Sequence, residues 1–291
     1  MIGANDSAAG HGPGGKSMRF ARPYMRPEKV SLGMTIAGLA ILAGFVLLVA
    51  FQDQLGVTSP ALSTIRTNFV NNFITDNRYM WMVRGLGQTA VITVFATLIG
   101  VFIGLALALI KVFQYSGRRI FLLTRIADIY LNVIRGTPVV VQLLIIYYVV
   151  FGSVQISKTF VAILAFGINS GAYVAEIIRA GIMAVDRGQM EAGRSLGLTY
   201  ATSMRKIVLP QAFKNILPAL FNELITLLKE TAVAGYIAVA DLTRAADLIR
   251  SRTFDAFMPL IVVALVYLVI VIGLTRLMSR LERRLRRSDN R

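Results

Sequence analysis

The sequence predicts an all-α integral membrane protein with six transmembrane helices and both termini in the cytoplasm. Three observations support this fold class. First, 56% of the 291 residues are hydrophobic and only 16% are charged, whereas about a quarter of the residues of a soluble domain are charged. Second, uncharged runs long enough to cross a bilayer recur along the chain. Third, the formal charge of +16 is distributed unevenly among the segments that join these runs.

Three uncharged runs are predicted to be transmembrane helices on length alone. They cover residues 31–51, 87–110 and 256–275, and a helix of about 20 residues spans the hydrocarbon core of a bilayer. The first run is longer than the apolar part of a cleaved signal peptide. We therefore assign it to a span as well.

Polar residues interrupt three further predicted spans. Residues 138–151 form a short apolar run that needs residues 121–132 to complete one crossing. Residues 159–185 are long enough but carry polar and charged side chains, and residues 215–228 contain a proline and a glutamate. Side chains of this kind inside a membrane face other helices or a water-filled cavity. Counting these segments gives six spans.

The distribution of basic residues predicts the orientation. With the N-terminus placed in the cytoplasm, 23 of the 31 Lys and Arg residues fall on the cytoplasmic side and eight on the other. Cytoplasmic segments of membrane proteins carry such an excess, so both termini are predicted to be cytoplasmic. No nucleic-acid partner is expected, because the basic residues are not interleaved with aromatic residues that stack on bases.

Soft metal ligands are almost absent from the sequence. The chain has no Cys, and its single His is His11 in the N-terminal tail. Zinc and similar metals are held mainly by Cys and His, and a general base is usually His or a positioned carboxylate. The sequence therefore predicts no metal site, no cofactor and no enzyme active site on this chain.

Residues Gly10 to Ser17 match the spacing of a nucleotide-binding P-loop. Such a loop needs a strand before it and a helix after it, so that backbone N–H groups converge on the phosphates. Here small polar residues precede the match, and Pro23 and Pro27 follow it. We expect a flexible Gly-rich tail and no nucleotide site.

The segment between the fourth and fifth predicted spans has a regular spacing. Glu191, Ala192 and Gly193 are followed by three residues and then Gly197, and after nine more residues by Ile207-Val208-Leu209-Pro210. This spacing predicts a short helix, a stop at a left-handed glycine, and a second helix that Thr199 caps and a proline breaks. From the spacing alone, the first helix either docks into a partner or belongs to an ordinary amphipathic loop.

The spacing resembles the EAA loop of importer-type ABC transporter permeases. Gly193 stands where a second alanine is usual, which predicts a helix weakened by about 0.5–1 kcal/mol. The similarity extends from about residue 85 to about residue 279 and is closest to the polar amino acid branch. Further matching segments are Arg135-Gly-Thr-Pro138 with Gln142, Asn169-Ser-Gly-Ala-Tyr173 with Glu176, and Lys229-Glu230-Thr231.

The resemblance implies a five-helix type I permease core preceded by one extra helix, in the plasma membrane of a prokaryotic cell. It divides the chain into a basic tail at 1–30, the additional helix at 31–51, an extracytoplasmic connector at 52–84, the type I domain at 85–279 with a coupling loop at about 186–212, and a second basic tail at 280–291.

The resemblance also implies the partners. Separate ATP-binding subunits would hold ATP and Mg²⁺, a second permease chain of the same or a different kind would pair with this one, and an extracytoplasmic binding protein would deliver a polar amino acid. A self-sufficient secondary transporter or channel for small zwitterions is the alternative, and it leaves the loop spacing unexplained. The residues implied in ATPase coupling are Glu191, Ala192, Gly193, Gly197, Leu209 and Pro210.

Polar residues inside the predicted spans are the candidates for substrate contact, because a zwitterion in the bilayer needs partners for both charges. Each has a structural alternative: Glu176 can pair with Arg179, Arg135 can anchor its helix, the polar residues of 159–185 can bridge helices, and Lys229 can pair with Glu230. The candidates are Arg135, Thr137, Gln142, Asn169, Ser170, Tyr173, Glu176 and Lys229.

Overall fold

The computed structural model describes residues 60–115 and 121–287, and the regular elements in these two stretches are all helical. The predicted span 31–51 and the P-loop-like match at 10–17 lie outside the described residues. The contacts given below belong to the compact unit from Thr64 to Arg291.

The two described stretches contain ten α-helices. They also contain short π-helical segments, here called π-turns, at Val70–Ile74, Ile146–Val150 and Met204–Val208, and short 3₁₀-helices at Thr75–Asn77 and Thr231–Ile237. The helices are α1 Pro60–Phe69, α2 Tyr79–Tyr115, α3 Phe121–Gly136, α4 Val139–Ile145, α5 Lys158–Met183, α6 Arg187–Ser195, α7 Tyr200–Ser203, α8 Leu209–Glu230, α9 Leu242–Thr253 and α10 Phe257–Arg287.

Three helices of the described residues are long and apolar enough to cross a membrane. They are α2, α5 and α10, over Tyr79–Lys111, Lys158–Met183 and Phe257–Arg284. The predictions of spans at 87–110, 159–185 and 256–275 are thereby confirmed as long apolar helices. The structure extends two of them well beyond the uncharged runs, because a helix continues through charged residues once its ends leave the hydrocarbon.

Two predicted spans have a different form. The crossing assembled from residues 121–132 and 138–151 is a pair of helices bent by 109° at the break between them, and it makes a fourth span if the pair is counted as one. Helix α8 contains the predicted span 215–228, but it is less apolar than the three long helices because it carries Lys214, Glu223, Lys229 and Glu230. The count of six spans remains a prediction.

The break between α3 and α4 follows from Pro138. Proline has no N–H to donate, and it favours extended backbone at the residue before it, so α3 ends at Gly136 and α4 begins at Val139. Only Thr137 and Pro138 lie outside a helix at this break.

Two pairs of glycines let α2 and α5 cross closely. A Cβ atom on Gly104 would lie 2.5 Å from Val174 Cγ1, and a Cβ atom on Gly167 would lie 2.7 Å from Ile99 Cγ2. Gly100 and Gly171 extend the same contact by one turn on each helix. Small residues at four-residue spacing allow this approach of membrane helices, and the crossing fixes the polar residues of α5 between α2 and α8.

Helix α9 is fixed beside the start of α2. The buried carboxylate of Asp241 caps α9 by accepting hydrogen bonds from the backbone N–H groups of Thr243 at 3.0 Å and Arg244 at 3.1 Å. Burial raises the pKa of Asp241, while these hydrogen bonds act in the opposite direction. A Cβ atom on Gly85 of α2 would lie 2.7 Å from the Asp241 carbonyl oxygen.

Candidate functional site

Helix α6 presents the residues of the predicted coupling loop. It begins after Asp186, whose carboxylate accepts a hydrogen bond from the Gly188 N–H at 2.8 Å and caps the helix. Glu191 and Ala192 are exposed, and the Leu196 side chain is 81% exposed. A helix of nine residues with an exposed leucine at its end is suited to fit a groove on another protein.

The predicted end of α6 is confirmed in detail. Gly197 adopts φ +82°, the left-handed conformation that glycine tolerates. Its N–H donates to the Arg194 carbonyl at 3.0 Å, and the Leu198 N–H donates to the Gly193 carbonyl at 3.1 Å, which together form a Schellman motif. The predicted cap on the next helix is also confirmed, because the Thr199 hydroxyl accepts from the Thr202 N–H at 3.2 Å.

The prediction that a proline breaks the second helix of this loop is wrong for Pro210. Leu209 and Pro210 are exposed and lie in the first turn of α8, where the missing N–H of proline has no partner to lose. The irregular backbone lies just before them, in the π-turn Met204–Val208. Pro210 therefore starts α8, and Pro218 is the proline inside it.

Three of the substrate candidates meet at the break between α3 and α4. Gln142 donates from Nε2 to the Ile134 carbonyl at 2.7 Å and to the Thr137 hydroxyl at 2.8 Å. Its Oε1 accepts from Asn169 Nδ2 at 3.0 Å. Both amide side chains are buried. Gln142 and Asn169 thus hold the broken helix against α5, which matches the bridging alternative.

The charged candidates meet about two turns further along α5. Arg179 donates from Nη2 to Glu176 Oε2 at 2.7 Å, as the spacing of three residues predicted. Arg135 of α3 adds a longer ion pair, with Nη1 3.7 Å from the same oxygen. Its guanidinium carbon lies 5.9 Å from the centre of the Tyr173 ring, a cation–π contact.

A carboxylate outside the list of candidates completes this region. Ser170 is fully buried and donates from Oγ to Glu223 Oε1 at 2.8 Å. Glu223 lies on α8 and is the glutamate that interrupts the predicted span 215–228. A glutamate within an apolar segment is by default a candidate functional residue, and that signal was sufficient to include it.

An open groove runs between α5 and α8. Its volume is about 460 Å³, within the usual range of about 300–1,000 Å³ for sites that bind small molecules. We call it the α5–α8 groove. Of the substrate candidates, Tyr173 and Glu176 line it, whereas Lys229 is exposed and lies outside its lining. The lining residues are Tyr173, Glu176, Ile177, Ala180, Ala219, Asn222, Glu223 and Thr226.

The two carboxylates of the groove differ in their surroundings. Glu176 is matched by two guanidinium groups, those of Arg179 and Arg135. Glu223 accepts its hydrogen bond from the neutral hydroxyl of Ser170. A cationic group entering the groove would therefore be attracted chiefly by Glu223. Within the described residues, no group of three or more His, Cys, Asp and Glu side chains is arranged to hold a metal ion.

Comparison with known sequences gives a consistent result. The family described as "Binding-protein-dependent transport system inner membrane component" matches residues 100–287. The arginine transport system permease protein ArtQ of Bacillus subtilis (strain 168) is 43% identical over 214 residues, which cover 72% of this chain and 94% of that protein. The putative glutamine transport system permease protein GlnP of Rickettsia bellii (strain RML369-C) is 40% identical over 210 residues, with the same coverage of 72% and 94%.

Solved structures agree with the sequence comparison. A crystal structure of an amino acid ABC transporter with histidines contains a chain that is 47% identical, with a TM-score of 0.67 over 73% of this chain and 98% of that one. The inward-facing MetNI methionine ABC transporter shares the fold, with a TM-score of 0.61 and 23% identity over 71% of this chain and 97% of that one.

Proposed function

Because the chain belongs to the family of binding-protein-dependent transport system inner membrane components, it is a multi-pass permease subunit of an ABC importer, and we propose that it carries a polar amino acid across the plasma membrane. The observation that supports the substrate class is the identity of 40% or more to permeases named for arginine and glutamine, over most of their length. ATP hydrolysis belongs to a separate subunit in this family.

The α5–α8 groove is our candidate for the place where the amino acid touches this chain. Glu223 would attract an ammonium or guanidinium group, since its carboxylate is balanced by no cation within the groove lining. Arg135 lies beside Tyr173 and forms a 3.7 Å ion pair with Glu176. When this ion pair opens, Arg135 would bind the α-carboxylate of the amino acid. Charge pairing of this kind offsets the cost of moving a zwitterion away from water.

The residues at the helix break have a supporting role in this proposal. Thr137, Gln142, Asn169 and Ser170 bond to one another or to neighbouring helices. They would keep the broken helix and α5 in the geometry that presents Arg135 and Glu176 to the groove. Lys229 lies beyond the groove, so we place it at a later point of the path, near Glu230.

Movements of the ATP-binding subunit would be transmitted to the groove through α6. Its exposed face, with Glu191, Ala192 and Leu196, is proposed to dock into the ATP-binding subunit, which binds ATP and Mg²⁺. Gly193, Gly197, Leu209 and Pro210 would set the position of that face. Closure of the ATPase subunits would then move two permease chains between inward-open and outward-open states, with an extracytoplasmic binding protein supplying the amino acid. Six spans and cytoplasmic termini remain part of the proposal.

Uptake by reconstituted vesicles tests this function. The chain is assembled with its ATPase and binding-protein partners in liposomes, and entry of radiolabelled arginine, glutamine or histidine is measured with and without ATP on the ATPase side. We expect uptake that needs both ATP and the binding protein. Uptake driven by an ion gradient in vesicles without the ATPase would instead support the self-sufficient transporter. Vesicles that lack this chain are the control.

A further inference from the structure

Helix α6 joins the two helices that wall the α5–α8 groove. It follows α5 after the turn at Asp186, and it is connected to α8 through α7 and the π-turn Met204–Val208. Gln211, in the first turn of α8, also donates from Nε2 to Gln189 Oε1 of α6 at 3.3 Å. A displacement of α6 therefore acts on both walls of the groove.

Gly193 is the buried residue of α6 and lies against the segment that leads into α8. It is buried, whereas the residues on either side of it are exposed. A Cβ atom at this position would lie 2.7 Å from Ile207 Cδ1 and 2.8 Å from Ser203 Oγ. Contacts this short are repulsive, so a side chain at this position would make the side chains of Ser203 and Ile207 rotate away or would shift α6.

The backbone of Gly193 also takes part in the turn that ends α6. Its carbonyl oxygen accepts the Leu198 N–H at 3.1 Å, the longer-range bond of the motif that ends α6 at Gly197. Gly193 thus has two roles here: its lack of a side chain allows close packing, and its carbonyl accepts a hydrogen bond in the turn. Together, these two contacts hold α6 against the residues that precede α8.

We propose that Gly193 is a positioning residue of this transporter, which seats α6 on Ser203 and Ile207 so that movement of α6 is passed to α8. The proposal rests on the proposed function, because it takes α6 as the helix that the ATPase moves. It gives Gly193 a role different from that of Glu191, which is exposed and faces outward. An alanine, usual here in the resembling loops, would place its Cβ within 3 Å of Ile207 Cδ1 and Ser203 Oγ in this chain.

Gly193→Ala tests this role in the complete transporter in liposomes. Alanine is the better helix former by about 1 kcal/mol, so a role limited to helix stability predicts equal or better activity. We expect the amount of amino acid transported per ATP hydrolysed to fall by about threefold or more, within the range of measured coupling effects. The ATPase subunit should still co-purify, because the exposed docking face is unchanged. Gly273→Ala is the matched control, since a Cβ there meets nothing within 4 Å.

A second variant keeps the test decisive. Ile207→Val removes the Cδ1 atom that the new methyl group would strike. We expect Gly193→Ala with Ile207→Val to regain most of the transport lost by Gly193→Ala alone. An unchanged transport-to-hydrolysis ratio in Gly193→Ala, or the absence of any recovery in the double variant, would overturn the proposal.

A readout without substrate separates this inference from the proposed function. The chain contains no Cys, so Asn222→Cys on the α8 wall of the groove introduces the only thiol of this chain, and maleimide labelling measured on this chain reports access to the groove. We expect ATP with Mg²⁺ to change its labelling rate by about threefold or more when Gly193 is present, and much less with Gly193→Ala. Equal responses, or no response in either, would overturn the inference. A normal response without uptake of any amino acid would overturn the proposed substrate class alone.

Discussion

Ser170 of α5 donates a hydrogen bond to Glu223 of α8 at 2.8 Å, and this bond ties together the two walls of the α5–α8 groove. The two residues are 53 positions apart in the sequence. The bond keeps one carboxylate oxygen of Glu223 directed at α5 and leaves the other available to the groove. Glu223 is therefore both part of the helix packing and the best candidate for a contact with a cationic substrate.

Glu223→Gln is expected to reduce binding of a cationic amino acid. Glutamine keeps an oxygen that can accept from Ser170 but removes the charge, and hydrogen bonds to charged groups contribute about 1.5–3 kcal/mol. Every 1.4 kcal/mol corresponds to about tenfold in affinity. We expect the half-saturating substrate concentration for ATP-driven uptake of arginine to rise by about tenfold or more.

The matched control for Glu223→Gln is Asp76→Asn, which removes a negative charge from the exposed ion pair with Arg78, outside the lining of the groove. It should leave the half-saturating concentration unchanged. Equal effects of the two variants would show that only net charge is being measured and would remove Glu223 from the site.

Gln142→Leu is expected to destabilise the protein without touching the groove lining. The substitution leaves the Ile134 carbonyl and the Thr137 hydroxyl without the donor that Gln142 supplies, and it leaves Asn169 without its acceptor. Each buried polar group left unpaired costs about 1–3 kcal/mol. Thermal unfolding of the purified transporter in detergent should show a lower midpoint. Val141→Leu, at an exposed neighbour on α4, should leave the midpoint unchanged, and a similar drop in both variants would argue against the network.

Gly104→Ala tests the close crossing of α2 and α5. The added methyl group would lie 2.5 Å from Val174 Cγ1, and overpacking of this kind costs about 1–3 kcal/mol. The same change at Gly87, where a Cβ meets nothing within 4 Å on the same helix, should be neutral or slightly stabilising. The measurement is the thermal midpoint of both variants. A loss of stability in Gly87→Ala equal to that in Gly104→Ala would contradict the crossing.

Local features of this fold were predictable from the sequence. The end of α6 depends on Gly197 and Thr199, whose conformations and hydrogen bonds involve only near neighbours. The pairing of Glu176 with Arg179 needs only a separation of three residues on one helix. The long apolar helices need only uncharged runs. In each case the physical cause lies within a few residues of the feature.

Features that depend on contacts between helices were not predictable in this way. Pro138 indicates a break, but neither the angle of 109° nor the hydrogen bond from Asn169 to Gln142 across the break could be derived from it. Glu223 was visible as a charge, yet its partner on α5 was not. The sequence predicts that Gly193 weakens α6, but it does not show that Gly193 is buried or that the side chains of Ser203 and Ile207 lie against it.

Glu191→Lys gives the most direct measurement of the central claim, that α6 couples this permease to a separate ATPase. Glu191 is exposed, so reversal of its charge should alter docking and leave the fold intact. The control for an added positive charge is Ala201→Lys, because Ala201 is exposed on the neighbouring α7. The quantity measured is ATP-driven uptake of amino acid by liposomes that contain the complete transporter. We predict that Glu191→Lys loses most of this uptake, by about tenfold or more as for other centrally placed docking residues, while Ala201→Lys retains it. Full ATP-driven uptake by Glu191→Lys would contradict the coupling role of α6.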